Sequence, residues 1–223
     1  MYTIKDMPDP VSQEDLDLLR GVETATVGHW RLFGFVDRRI QPVLPRRRVV
    51  GTAVTVAIAG PDSTLLHHAA GMLRPGDIVV LDRLGDDKYA CWGGGVTAAA
   101  KSAGAVAGII DGPCTDISEI EGADFPVWSR GCSSITTRLY DLGGGMNIPI
   151  SCGGAVVMPG DAILADESGV LVIPREEVRS VALKALAMQE AERNNVNVLK
   201  GQKLGDISGA SAKVMARLAG AGL

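Results

Sequence analysis

Apolar and polar positions change period several times along this chain, and each change predicts an element. Val49 to Ile58 is β-branched and alternating, which predicts a strand, and Thr64 to Leu73 has helical spacing that ends at Arg74-Pro75-Gly76. Ile78 to Leu81 follows as a short buried strand. The Ala-rich run Val96 to Ala103 predicts a helix opening at Gly93-Gly94-Gly95, and Gly104 to Ile110 predicts another buried strand. Upstream, Ser12 as N-cap before Asp15, Leu16, Leu18 and Leu19 predicts a helix over 12–20, and Thr24 to Phe33 a second. These N-terminal helices occupy about 12–35, before Pro42 and Pro45 break the chain. Downstream, Val127 to Val172 is Gly-rich, in segments too short for helices, and predicts curled β structure. Glu176 to Leu199 predicts a long C-terminal helix, about 176–200, with a small-residue tail after Gly201.

Strands alternating with helices place the chain in the α/β class. Its 223 residues can fill one large core, and no low-complexity linker divides them, so residues 1–223 are expected to form a single domain. Two segments echo each other, Pro75-Gly76-Asp77 and Pro159-Gly160-Asp161, each a turn feeding a short strand. Their aspartates are expected to bond their own backbone.

Hydrophobic content of 46%, charged content of 22% and a net charge of −4 suit a soluble globular protein and leave no basic field for nucleic acid. The basic run Arg46-Arg47-Arg48 is expected to be a solvated strand entry. Four cysteines lack CxxC spacing, no secretory leader is evident, and no stretch of 18 apolar residues predicts a membrane span. The expectation is a reduced, cytoplasmic protein with no membrane partner. Cys114 is expected to be a small buried hydrophobe. His29, His67 and His68 have no third ligand at metal-binding spacing and are expected in packing or surface roles.

The chemistry concentrates in two stretches, Trp92-Gly93-Gly94-Gly95-Val96 and Asp111-Gly112-Pro113-Cys114-Thr115-Asp116-Ile117-Ser118-Glu119. Glycines bring bare N–H groups close to a ligand at a helix start, and such a start favours an anion. Asp116 and Glu119 lie just past a predicted strand end, where ligands gather in α/β proteins. On spacing alone, Asp116-Ile-Ser-Glu119 reads equally well as a capping box.

The combination resembles the 4-hydroxy-4-methyl-2-oxoglutarate / 4-carboxy-4-hydroxy-2-oxoadipate aldolases, which share a fold with the regulator of ribonuclease activity A. That pattern is a glycine, twenty residues, Arg-Asp, two residues and an acid; here Gly94, Thr115-Asp116 and Glu119 fall on it. Further matches run through Val50 to Val56, Phe125-Pro126-Val127, Asn147 to Ile150 and Pro159 to Val170. The resemblance covers about residues 22–205.

It implies an RraA-like swivelling β/β/α domain with a C-terminal helix. It implies too that the backbone of Gly93, Gly94, Gly95 and Val96 holds a 2-oxo acid carboxylate, and that Asp116 anchors Mg²⁺ or Mn²⁺ mostly through water. Glu119 would assist, and a Glu from a neighbouring subunit, Glu192 or Glu190, would complete a site between subunits of a homotrimer or hexamer. The implied activity is metal-dependent retro-aldol cleavage or decarboxylation of a 4-hydroxy-2-oxo or oxaloacetate-like acid, releasing pyruvate. The departure is Thr115, where the family carries an arginine: a hydroxyl cannot replace a guanidinium fork. Arg130 is the nearest cation in sequence to stand in, with Lys88 behind it. A different class of function, a non-catalytic regulator binding a protein partner, shares the same motif. Methyl transfer to a quinone is discounted for want of a nucleoside-binding glycine loop followed by an acid.

Overall fold

The computed structural model describes residues 1–196 and 201–220. The chain opens on a short strand, β1 (Tyr2–Ile4), that its pattern does not announce, and enters α1 (Gln13–Leu19). Ser12 caps α1 as predicted: its hydroxyl accepts the Asp15 amide at 3.1 Å, and Leu16 and Leu19 are buried. The second helix, α2, covers only Thr24–Gly28 rather than 24–33. Glycine weakens the helix there, the chain turns through Gly34 at φ +87°, and Phe35 pairs with Leu171, so extended pairing replaces further helix. A remote side chain caps α2: Asp166 accepts the Thr24 amide at 2.8 Å and the Thr24 hydroxyl at 2.6 Å.

The middle of the chain is a run of crossovers. After β2 (Gln41–Pro42) come β3 (Val49–Ala57), α3 (Thr64–Ala70), β4 (Asp77–Asp82), α4 (Gly94–Ser102), β5 (Ala107–Ile110), α5 (Ile117–Gly122) and β6 (Val127–Ser129). β3, β4, β5 and β6 are parallel neighbours, and β2 closes their edge antiparallel to β6. Each strand is apolar in nearly every position because both faces are covered, and the side chains alternate between two cores. Val54, Val56, Val79, Leu81 and Ile110 point to the face under α3, α4 and α5, while Ala53, Ile78, Val80 and Ile109 point to the other.

The second half is β-rich, as its glycines predict: β7 (Gly144–Met146), β8 (Ile150–Cys152), β9 (Ala155–Val157), β10 (Ala162–Asp166) and β11 (Gly169–Ile173). β3 carries the join between the halves. Its first residues pair antiparallel with β10, and its last, Val56 and Ala57, pair with β7, which also takes β1 in parallel. Among the described residues this makes a nine-stranded mixed sheet with a separate β8–β9 hairpin. The echoed turns bond as expected: Asp77 accepts the Arg74 amide at 2.8 Å, and Asp161 accepts the Met158 amide at 2.9 Å.

The long C-terminal helix starts with a 3₁₀ turn (Arg175–Glu177) and runs as α6 (Val178–Val196), packing Val178, Val181, Ala182 and Ala185 with α1 residues in a third core. Its predicted end at Leu199 lies outside the described residues. The tail expected to be merely small residues contains α7 (Leu204–Ile207) and α8 (Ala210–Gly220). Alanine-rich composition accounts for α8 without burial. No helix of the described residues is long and apolar enough to cross a membrane.

Candidate functional site

Ser63, Gly93 and Asp116 sit one per crossover, where the connections leaving β3, β4 and β5 begin helices α3, α4 and α5. All three line one cavity of about 370 Å³, with His67, Cys91, Gly95, Val96, Thr115 and the segment Thr136 to Leu139. This is the crevice beyond the carboxyl ends of parallel strands, where helix N-termini present unpaired N–H groups.

Trp92 fixes the glycine turn. Its ring is fully buried and stacks on Phe125 with centroids 6.1 Å apart, while its indole N–H donates to Thr97 Oγ1 at 2.9 Å. The turn then needs glycine for space. A Cβ on Gly93 would stand 2.4 Å from Asp116 Oδ2, and one on Gly94 would stand 1.6 Å from Glu119 Oε2. Gly95 has nothing within 4 Å of that position and opens to the cavity. The amides of Gly95 and Val96, in the first turn of α4, have no intrahelical partner by position.

Asp116 occupies the N-cap position of α5 in the left-handed region, at φ 55° and ψ 45°, and makes no capping bond. That conformation costs a non-glycine residue about 1 kcal/mol, least for Asp and Asn. The capping-box reading therefore fails: the carboxylate turns across to α4, where Oδ2 accepts the Gly94 amide at 3.0 Å. Thr115 Oγ1 donates to Oδ1 at 3.2 Å. Asp116 and Thr115 face the cavity, whereas Glu119 lies behind the turn against Gly94.

Three further sequence candidates lie elsewhere. Arg130 does not line the cavity; its guanidinium pairs with Asp111 and stands 3.6 Å from Asp37, so local acids neutralise it. Glu192 lies on α6, 3.9 Å from His29, in a separate cleft with Glu23, Gln189 and Arg193. Lys88 lies over the Tyr89 ring, 5.0 Å from its centre.

Arg138, which the sequence reading did not single out, lies on the cavity wall with His67, whose place there is a surface one as expected. The signal for Arg138 was a lone cation in the hydroxyl-rich run Ser133-Ser134-Ile135-Thr136-Thr137-Arg138. Its loop is pinned to the start of α3 by buried Asp62, whose carboxylate accepts the amides of Thr64, Tyr140 and Leu142 at 3.0, 2.9 and 2.9 Å and the Thr64 hydroxyl at 2.6 Å. Burial pushes the Asp62 carboxyl up, but these donors outweigh it and hold it at about 2.

Burial pushes Cys91 up to about 11 and raises Cys114, which is fully buried as expected. Among the described residues no group of three His, Cys, Asp or Glu side chains surrounds a common point. What remains at the cavity is a carboxylate oxygen pair on Asp116 with Glu119 behind it. Hard oxygen donors with room for water suit Mg²⁺ or Mn²⁺, which keep much of their water shell.

The fold and site define an α/β protein whose crevice pairs bare helix amides with an acidic side chain. Within that class, residues 24–172 match the RraA-like family model described as Aldolase/RraA, and the chain belongs to that family. It is 36% identical over 150 residues to a protein of Halalkalibacterium halodurans named "Putative 4-hydroxy-4-methyl-2-oxoglutarate aldolase", covering 67% of this chain and 71% of the relative. An uncharacterized protein of Methanocaldococcus jannaschii is 32% identical over 172 residues, covering 75% of this chain and 82% of its own. The crystal structure of Streptomyces coelicolor RraAS2, described as an unusual member of the RNase ES inhibitor RraA protein family, superposes with a TM-score of 0.75 at 22% identity, over 86% of this chain and 98% of that one, and shares the fold.

Proposed function

We propose that this protein is a divalent-metal-dependent carbon–carbon lyase that releases pyruvate, by retro-aldol cleavage of a 4-hydroxy-2-oxo acid, decarboxylation of an oxaloacetate-like acid, or both. The observation that carries this reading is the meeting of Asp116 with the Gly93–Val96 turn on one cavity wall. Kinship with a named aldolase supports lyase chemistry.

Asp116 would hold the metal, with Glu119 shaping the same turn from behind. A bound divalent ion supplies electron withdrawal from the ketone, the assistance that bond cleavage β to a carbonyl needs. The amides of Gly95 and Val96 would bind the 2-oxo acid carboxylate and fix its orientation. Thr115, on the same wall, would reach that carboxylate only by turning its hydroxyl away from Asp116 Oδ1. Retro-aldol cleavage also needs a base for the 4-hydroxyl proton. Glu119 acting through a water, or Glu192 of the partner subunit in a trimer or hexamer, would take it. Decarboxylation needs no such base. An inter-subunit site is supported by exposed Leu139, Tyr140 and Leu142 in the segment running on from the cavity wall.

The rival reading, a regulator acting through a protein partner, is supported by the fold shared with a neighbour described as a member of the RNase ES inhibitor RraA protein family, and Thr115 departs from the motif of both classes. One experiment separates them: pyruvate release from 4-hydroxy-4-methyl-2-oxoglutarate and from oxaloacetate, with Mg²⁺ or Mn²⁺ and with chelator. Metal-dependent release supports the lyase, and no release under any of these conditions overturns it.

A further inference from the structure

Cys114 and Cys132 oppose one another on adjacent segments, the first joining β5 to α5 and the second following β6. We propose that they form a peroxide-sensitive dithiol, which closes a reversible disulfide behind the cavity and clamps the segment carrying Asp116. The inference stands apart from the lyase reading, since it concerns only the thiols and the chain they join.

Three features carry it. First, the register is right. Cys114 donates its amide to the Gly131 carbonyl at 2.9 Å and accepts the Ser133 amide at 3.0 Å, so Cys132 is its parallel partner. Such partners lie about 4.8 Å apart with side chains on one face, within the span of about 4.4–6.8 Å between α-carbons that a disulfide bridges. The other cysteines lack that register. Trp92 is the partner of Cys114 on its other side, which turns Cys91 to the opposite face, and Cys152 is packed in a different core. Second, the two thiols differ in access. Cys132 is exposed and Cys114 fully buried, so a dissolved oxidant meets one of them first. Cys114 Sγ lies 3.5 Å from the carbonyl of Gly131, the residue before Cys132, and 3.2 Å from Ser129 Oγ. Burial raises the Cys114 thiol, and the neighbouring Cys132 thiol raises it further against the Ser129 hydrogen bond. Cys114 is therefore kept as a protonated reserve, spared direct oxidation. Third, the placement matters. Residues 114–132 enclose Thr115, Asp116, α5 and β6, and neither thiol is among the residues lining the cavity. A link between them would close that segment into a ring without plugging the site.

The chemistry needs one molecule of hydrogen peroxide. Cys132 Sγ attacks a peroxide oxygen, the O–O bond breaks, and water leaves with the thiol's proton, giving a sulfenic acid. Cys114 Sγ then attacks Cys132 Sγ, the S–O bond breaks, and the departing hydroxide takes the Cys114 proton as a second water. The two thiols lose a pair of electrons and a pair of protons, and the peroxide is reduced to water. Proximity makes the second step intramolecular, which offsets the low thiolate content of Cys114.

The test treats the full chain with hydrogen peroxide, alkylates the remaining thiols and maps tryptic peptides. Each cysteine falls in its own peptide: Cys91 in 89–101, Cys114 in 102–130, Cys132 in 131–138 and Cys152 in 139–175. The expected product is 102–130 joined to 131–138 within one chain, lighter than their sum by a pair of hydrogens and separated by dithiothreitol. Amide hydrogen exchange over α5 should slow severalfold on oxidation and recover on reduction. Cys132→Ser, a surface change, should leave Cys114 reduced at peroxide doses that convert the wild type. Cys132 driven to sulfinic acid beside a reduced Cys114, a link to Cys91 or Cys152, a link between chains only, or no reaction of either thiol would each overturn the dithiol. A disulfide that leaves exchange over α5 unchanged would overturn the clamp.

Discussion

Asp116 accepts the amide of Gly94 across the gap between two crossovers, at 3.0 Å, although twenty-two positions separate them in the chain. The bond ties the acid to the helix start that would hold the substrate's carboxylate. An oxygen on that side chain can orient the turn, but a charged carboxylate holds a hard divalent cation far more strongly than a neutral amide oxygen does.

Asp116→Asn separates these two roles. Asparagine tolerates the left-handed backbone and still accepts the Gly94 amide, so the unfolding free energy should stay within about 1 kcal/mol of wild type. Metal-dependent pyruvate release should fall by about a hundredfold or more, the scale of losing several kcal/mol of charge stabilisation. Full activity in the variant would refute the metal role.

Gly94→Ala tests the packing behind the turn. The new methyl would land 1.6 Å from Glu119 Oε2 and 3.0 Å from Glu119 Cβ, so that side chain must swing aside. Alanine is a better helix former than glycine by about 1 kcal/mol, which offsets the local cost. Thermal unfolding should therefore change little while kcat/KM drops, and a drop in both together would mean that the helix itself was displaced.

Asp62 makes the Arg138 loop sensitive to acid. Its carboxyl lies below the ordinary 3.8, at about 2, so its contribution is complete above about pH 4 and is lost as pH falls through 2. Asp62→Asn should cost about 2–3 kcal/mol at neutral pH, the scale of several hydrogen bonds to a charged acceptor. Urea titrations from about pH 7 down to 2 should show the gap between wild type and variant holding constant and then closing below about pH 4.

Arg130→Met should act on stability and not on substrate. The change leaves Asp111 without its ion pair, though Asp111 still accepts the Gly153 amide at 2.6 Å. A loss of about 1–3 kcal/mol in unfolding free energy is expected, with KM unchanged. A raised KM would return Arg130 to the cavity.

Period and punctuation alone determined the elements of the parallel core. β3 was expected from Val49 and ends at Ala57, Ser12 was expected to cap α1 and does, and the glycine turn was expected to open α4 and does. These are local effects of side-chain alternation, capping and backbone freedom, which neighbours in sequence suffice to set. The same logic placed Asp116 and the glycines on the two loops that meet. It missed β1, whose partner β7 lies about 140 positions away, and overextended α2, because pairing of Phe35 with Leu171 is not written near either residue.

Tertiary structure alone decided which charges face the cavity. Arg130 stands closer to Asp116 in sequence than Arg138 does, yet Asp111 and Asp37 claim it. Asp62 reaches across the fold to hold the loop that puts Arg138 on the wall. A long cationic side chain goes to whichever acid the fold brings within a few ångströms, and that distance depends on how the whole sheet is wound, which no stretch of a few residues encodes.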